Sequence, residues 1–126
     1  MSPAPFEASA VEIDGIRVIA VRGELDLSTA PALEPIVEEA LSSSGPVIVD
    51  LTECEFIDST GIALVVRAWQ RIEAEEAERG RRLIVCSSNE QVGRVLEISG
   101  LGQSIPIHTS REEGLTALRG ETSQPA

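Results

Sequence analysis

The chain has 126 residues, 42% of them hydrophobic and 25% charged, which is one ordinary soluble domain with a single core. Ten Lys plus Arg against 21 Asp plus Glu give a formal net charge of -11, and such a surface repels nucleic acid and anionic membrane. Aromatics are only 2% of residues, so the core must be built from Val, Ile, Leu and Ala, and stacking platforms for single strands are missing.

In chain order, residues 1–9 read as a flexible tail rich in small residues and proline, without the basic and apolar regions of a secretory signal. Val11 and Ile13 alternate with polar residues, and Asp14-Gly15 marks a hairpin turn into a second strand, Ile16 to Val21, ending near Gly23. Leu33, Ile36, Val37, Ala40 and Leu41 then recur at helical spacing. Ser28 and Thr29 are candidate N-caps for that helix, and Pro31 fits its first turn. Gly45-Pro46 closes it, and Val47 to Leu51 is a short apolar run of the buried-strand kind.

The stretch "CEFIDSTGIALVV" follows, with Asp58, Ser59 and Thr60 ahead of a helical stripe through Ile62, Val65, Val66, Trp69 and Ile72. That helix turns polar and is expected to stop at Gly80. Arg82 to Cys86 reads as another buried strand; Val92, Val95 and Leu96 lie on a helix stopped by Gly100; Ser104 to His108 is a proline-interrupted edge strand. Ser110 and Glu113 form a capping-box pattern for a last helix, and residues 120–126 read as a second tail.

The order ββαβαβαβα implies an α/β fold, a mixed sheet covered by helices and built mainly through βαβ crossovers, in one domain over residues 10–119. In such folds partners meet the loops where strands feed helices, which singles out "GELDLST" and "CEFIDSTG" together.

Chemistry at Ser59 has three readings beside simple capping by Asp58, Ser59 or Thr60. A nucleophile needs a base; the one histidine is His108, and neither a GxSxG elbow nor an SxxK pair is present. A phosphate cradle fails because the chain contains no lysine and no GxxxxGK[ST]. Asp50 ends a Walker-B-like strand but reads as structural. Cys54 and Cys86 are too few and too far apart for a metal site and read as buried thiols. No cofactor, metal or catalytic residue is therefore expected. The third reading makes Ser59 a substrate: phosphorylation would set about −1.5 to −2 charges beside Asp58 at a helix start.

Here the sequence resembles a known family. "GELDLSTAPAL", "VIVDLTECEFIDSTGIALVV", "RLIVC", "VGRVLEISGLG" and "SREEGLTAL" are similar to the STAS domains of anti-sigma factor antagonists, from about Val11 to Leu118. The D-S-[ST]-G motif after a buried strand is the specific part. With no secretory signal and no apolar run long enough to span a bilayer, the chain is expected to be cytoplasmic. The resemblance implies a protein that, when unphosphorylated, binds an anti-sigma factor with serine kinase activity and so frees a sigma factor. It also implies inactivation by phosphorylation of Ser59 and resetting by a PP2C-type phosphatase. Partner binding would fall on Glu24, Asp26, Ser28 and Thr29 in one loop and on Asp58, Ser59, Thr60, Gly61 and Ile62 in the other. Gly61 is expected to keep the surface around Ser59 low, and Ile62 to sit at the rim of the contact. Between Ser59 and Cys86 the chain is about four residues, roughly one helical turn, longer than the family's shorter members. STAS domains also serve as scaffold subunits of stress complexes or lipid-transport systems, where the serine is only a cap. A small-molecule or nucleotide site on the same two loops is a further alternative.

Overall fold

The computed structural model describes residues 5–76 and 82–122. Nine elements alternate in the expected order: β1 (Glu7–Ile13), β2 (Ile16–Leu25), α1 (Ala30–Ser42), β3 (Val47–Ile57), α2 (Ser59–Glu76), β4 (Leu83–Cys86), α3 (Glu90–Ile98), β5 (Ile107–His108) and α4 (Arg111–Thr122). A short 3-10 turn, Leu101–Gln103, links α3 to β5. The helix stop expected at Gly80, and part of the longer stretch before Arg82, lie outside the described residues.

The strands stand side by side in chain order, β1-β2-β3-β4-β5. β1 and β2 are antiparallel across the Asp14-Gly15 turn, where both residues have positive φ (53 and 82), the twist that a two-residue hairpin requires. All later pairings are parallel. β1 begins at Glu7, inside the stretch read as tail.

Three helices cover one face of the sheet. Leu33, Val37 and Leu41 of α1, Leu64, Val65 and Ile72 of α2, and Val92 and Leu96 of α3 bury against Ile19, Val21, Val49, Leu51 and Val85. Among the described residues the other face carries α4 alone, with Leu115 and Leu118 against Ile16, Val18, Ile48, Ile84 and Cys86. Both cysteines are buried free thiols, as the spacing implied. Among the described residues no helix is long and apolar enough to cross a membrane.

β3 is longer than its apolar run. From Ala20 to Arg22, two steps on β2 face three on β3, Asp50 to Glu53; from Gly23 to Glu24, one step faces two, Cys54 to Phe56. These bulges let Thr52 to Ile57 stay paired although the polar residues there break the strand pattern.

Candidate functional site

β2 and β3 run parallel and end level, Leu25 opposite Ile57, so the two polar loops leave the sheet as neighbours. The backbone N–H of Asp58 donates to the Leu25 carbonyl at 3.2 Å, which ties one loop to the other.

Asp58 starts α2. One carboxylate oxygen accepts from the N–H groups of Thr60 (2.9 Å) and Gly61 (3.2 Å), and the Asp58 carbonyl accepts from Ile62 N–H at 3.0 Å. Of the three capping candidates the aspartate does the work, because its carboxylate reaches two orphan N–H groups at once and suits the positive end of the helix dipole. Ser59 is exposed, and its hydroxyl has no hydrogen-bond partner among the described residues. Thr60 is half-buried and takes part through its backbone.

Gly61 faces inward. A Cβ built on it would lie 2.7 Å from Ile57 Cγ1 and 2.8 Å from Leu25 Cγ, so its small size lets α2 seat on the ends of β2 and β3. This differs from the surface role expected from sequence: glycine here is a packing requirement, and Ser59 is displayed because its neighbour is held down. Ile62 is half-buried against the same core.

The β2–α1 loop is knotted by Asp26. Its carboxylate oxygen Oδ1 accepts from Ser28 N–H (3.0 Å), Ser28 Oγ (2.8 Å) and Thr29 N–H (3.2 Å). These bonds, that from the Ser28 hydroxyl foremost, hold the Asp26 carboxyl below its ordinary pKa. Thr29 occupies the N-cap position of α1, but its hydroxyl makes no helix cap. It donates to the Glu24 carbonyl (2.8 Å) and accepts from Asp26 N–H (2.9 Å), bracing the loop backward. Glu24 and Ser28 are exposed, and Asp26 and Thr29 half-buried.

Two apolar side chains at this end were not singled out by the sequence pattern. Leu27 is 73% exposed in the middle of the polar turn, and Phe56, register neighbour of Glu24, is 44% exposed. Phe56 also borders a groove with Val95 and Ile98 of α3. An apolar residue between Asp26 and Ser28 was the available signal for Leu27. Phe56 gave none, because the bulge decides which way it points.

His108 lies on β5, two strands from β3, and borders a shallow surface near Ser110 and Glu113 instead of the Ser59 loop. Among the described residues no group of three or more His, Cys, Asp or Glu is arranged to hold a metal ion.

A sequence profile of the STAS domain matches residues 7–114. The anti-sigma-B factor antagonist of Listeria monocytogenes is 33% identical over 90 residues, 71% of this chain and 75% of that protein. An anti-sigma factor antagonist from Mycobacterium paratuberculosis superimposes with a TM-score of 0.83 at 26% identity, covering 91% of this chain and 95% of the other. The anti-sigma factor antagonist SpoIIAA in its unphosphorylated form superimposes with a TM-score of 0.71 at 25% identity, over 92% of this chain and 97% of its own.

Proposed function

Because the chain belongs to the STAS domain family, within its anti-sigma factor antagonists, we propose that it works in the cytoplasm as a switch whose state is written on Ser59. Unphosphorylated, it binds an anti-sigma factor with serine kinase activity and releases the sigma factor. Phosphorylated on Ser59, it lets go, and a PP2C-type phosphatase restores it. No catalytic residue of its own is needed.

One observation carries this reading. Among the described residues the Ser59 hydroxyl stands exposed and unbonded at the first residue of α2, while Asp58 alone caps the helix. A serine kept only for capping would have its oxygen on a backbone N–H. The relative described in its unphosphorylated form supports the same reading, since the distinction applies only to a protein that is also phosphorylated.

The physics of the switch follows from the two loops. A phosphoryl group on Ser59 would add about −1.5 to −2 charges next to Asp58 and near Asp26, already ionised. The helix dipole would favour the new charge on the protein itself, worth about 0.3–1 kcal/mol at an exposed end. A partner surface fitted to a neutral hydroxyl would meet a dianion, and each 1.4 kcal/mol lost there weakens binding about tenfold. Glu24, Asp26, Ser28, Thr29, Asp58, Thr60, Gly61 and Ile62 are the proposed surround. Leu27 and Phe56 add the apolar area that a protein partner buries.

The test is incubation with a cognate anti-sigma kinase and ATP, followed by intact-mass measurement. One added phosphate is expected on the wild type and none on Ser59→Ala. Binding should survive in Ser59→Ala and weaken in Ser59→Asp. Equal labelling of Ser59→Ala, or equal binding by all forms, would sink the proposal, the second result favouring a scaffold.

A further inference from the structure

α4 covers its face of the sheet unevenly. It starts at Arg111 above β3, and its Arg119 reaches the hairpin turn at Asp14 (2.6 Å), so it runs away from the upper corner of β1 and β2. That corner is left as an open trough of about 460 Å³ whose lining includes no residue of the Ser59 or Asp26 loops. Its floor is the small pair Ser9 and Ala20, directly opposed in the β1–β2 register.

The walls are charged and only partly self-satisfied. Asp50, 5% exposed, is fully engaged: Oδ1 accepts from Thr52 N–H (3.0 Å) and Thr52 Oγ1 (2.7 Å), and Oδ2 accepts from Arg111 Nε (2.8 Å). That bond uses one donor of the Arg111 guanidinium; the others have no protein partner among the described residues. Arg22 and Glu7 pair loosely at 3.4 Å. Glu53, exposed, has no ion pair or hydrogen bond among the described residues. It reaches this rim because the β3 bulge sets it opposite Arg22 instead of following the strand's alternation.

We propose that this trough binds a small zwitterion of the amino-acid kind, its carboxylate on the free edge of the Arg111 guanidinium and its ammonium facing Glu53. A planar guanidinium fork suits a carboxylate. Arg22 and Arg111 are outnumbered by Glu7, Asp50 and Glu53 in the lining, on a chain of net charge -11, so a simple anion is disfavoured. A simple cation would satisfy Glu53 but meet two arginines. The volume falls in the range of small-molecule sites, and the bulge beside it is the kind of irregularity that re-aims a side chain toward a ligand.

The experiment is a titration of the nitrogen-15-labelled chain, followed by amide shifts, with glycine, γ-aminobutyrate and 6-aminohexanoate, against butyrate and butylammonium at matched ionic strength. At least one zwitterion should give saturable shifts at Ser9, Ala20, Thr52 and Arg111, with an apparent Kd at least tenfold below that of either singly charged probe. Glu53→Gln, an exposed change that leaves the fold alone, should weaken that Kd at least tenfold. Three results overturn the proposal: no saturable shift with any zwitterion, butyrate or butylammonium binding as tightly, or an unchanged Kd in Glu53→Gln.

Discussion

The backbone N–H of Asp58 donates to the carbonyl of Leu25, one residue beyond the last paired position of β2 and β3. The strand ladder thus continues into the loops, and the Asp26 knot and the Asp58 cap form one rigid ledge. Ser59 stands on that ledge without contributing to it.

This division of labour sets the first prediction. Asp58→Ala removes the acceptor for two N–H groups and should lower stability by about 1 kcal/mol. Asp58→Asn keeps the cap and should lose far less. Ser59→Ala should stay within about 0.5 kcal/mol of wild type. Urea midpoints at unchanged slope would decide; a Ser59→Ala loss as large as that of Asp58→Ala would mean the hydroxyl is structural after all.

Gly61→Ala should cost about 1–3 kcal/mol by overpacking. Its methyl would lie 2.7 Å from Ile57 and 2.8 Å from Leu25. Alanine is otherwise the better helix former by about 1 kcal/mol, so a stabilised variant, seen by thermal melting, would contradict the close seating of α2.

The same contact recurs under α4, where a Cβ on Gly114 would sit 2.8 Å from Cys86 Sγ. Gly114→Ala should destabilise by about 1–3 kcal/mol, and Gly114→Ala with Cys86→Ala should lose less than the two singles summed, because the second change removes the obstructing sulfur. A double-mutant cycle in urea reads the coupling directly; strict additivity would refute it.

Burial, with the Asp50 charge second, pushes the Cys86 thiol up to about 12, and burial also raises Cys54. At about pH 8 neither is a thiolate in the folded protein. An aromatic disulfide reagent should therefore label the native chain only as fast as it opens, and both thiols promptly in urea. Fast labelling of one thiol in the native state would show that its strand is not sealed.

Asp26 makes a pH prediction. Its folded pKa lies below the ordinary 3.8, chiefly through the Ser28 hydroxyl bond. Its contribution is therefore complete above 3.8 and lost as pH falls through the folded value. Asp26→Asn should flatten the acid limb of stability relative to wild type while Glu113, also lowered, continues to titrate in both. Superimposable acid limbs would mean that the knot adds nothing to folding.

Much of this was legible in sequence. The Asp14-Gly15 turn, the helical stripes and the Gly100 stop are local signals, and the structure reproduces them. The pairing of the two polar loops followed from parallel order alone. What could not be read depends on neighbours in space. Thr52 to Ile57 become strand only because bulges absorb the extra residues against β2. Thr29 looks like a cap in sequence, yet Glu24 and Asp26 claim its hydroxyl. Gly61 has no side chain to announce a direction, and only Leu25 and Ile57 show that it points inward.

If Ser59 is the proposed switch, the level ends of β2 and β3 also fix what kind of information it would carry. A modified residue on a floppy segment is read as a string, and its reader must freeze it before use. Here the segment is frozen in advance by the sheet, so recognition forgoes that ordering entropy. On the proposed reading it would depend instead on residues far apart in the chain, Glu24 to Thr29 and Phe56 to Ile62. A synthetic peptide spanning Cys54 to Val66 holds half the letters and none of the spacing, and it should be a poor substitute for the folded domain.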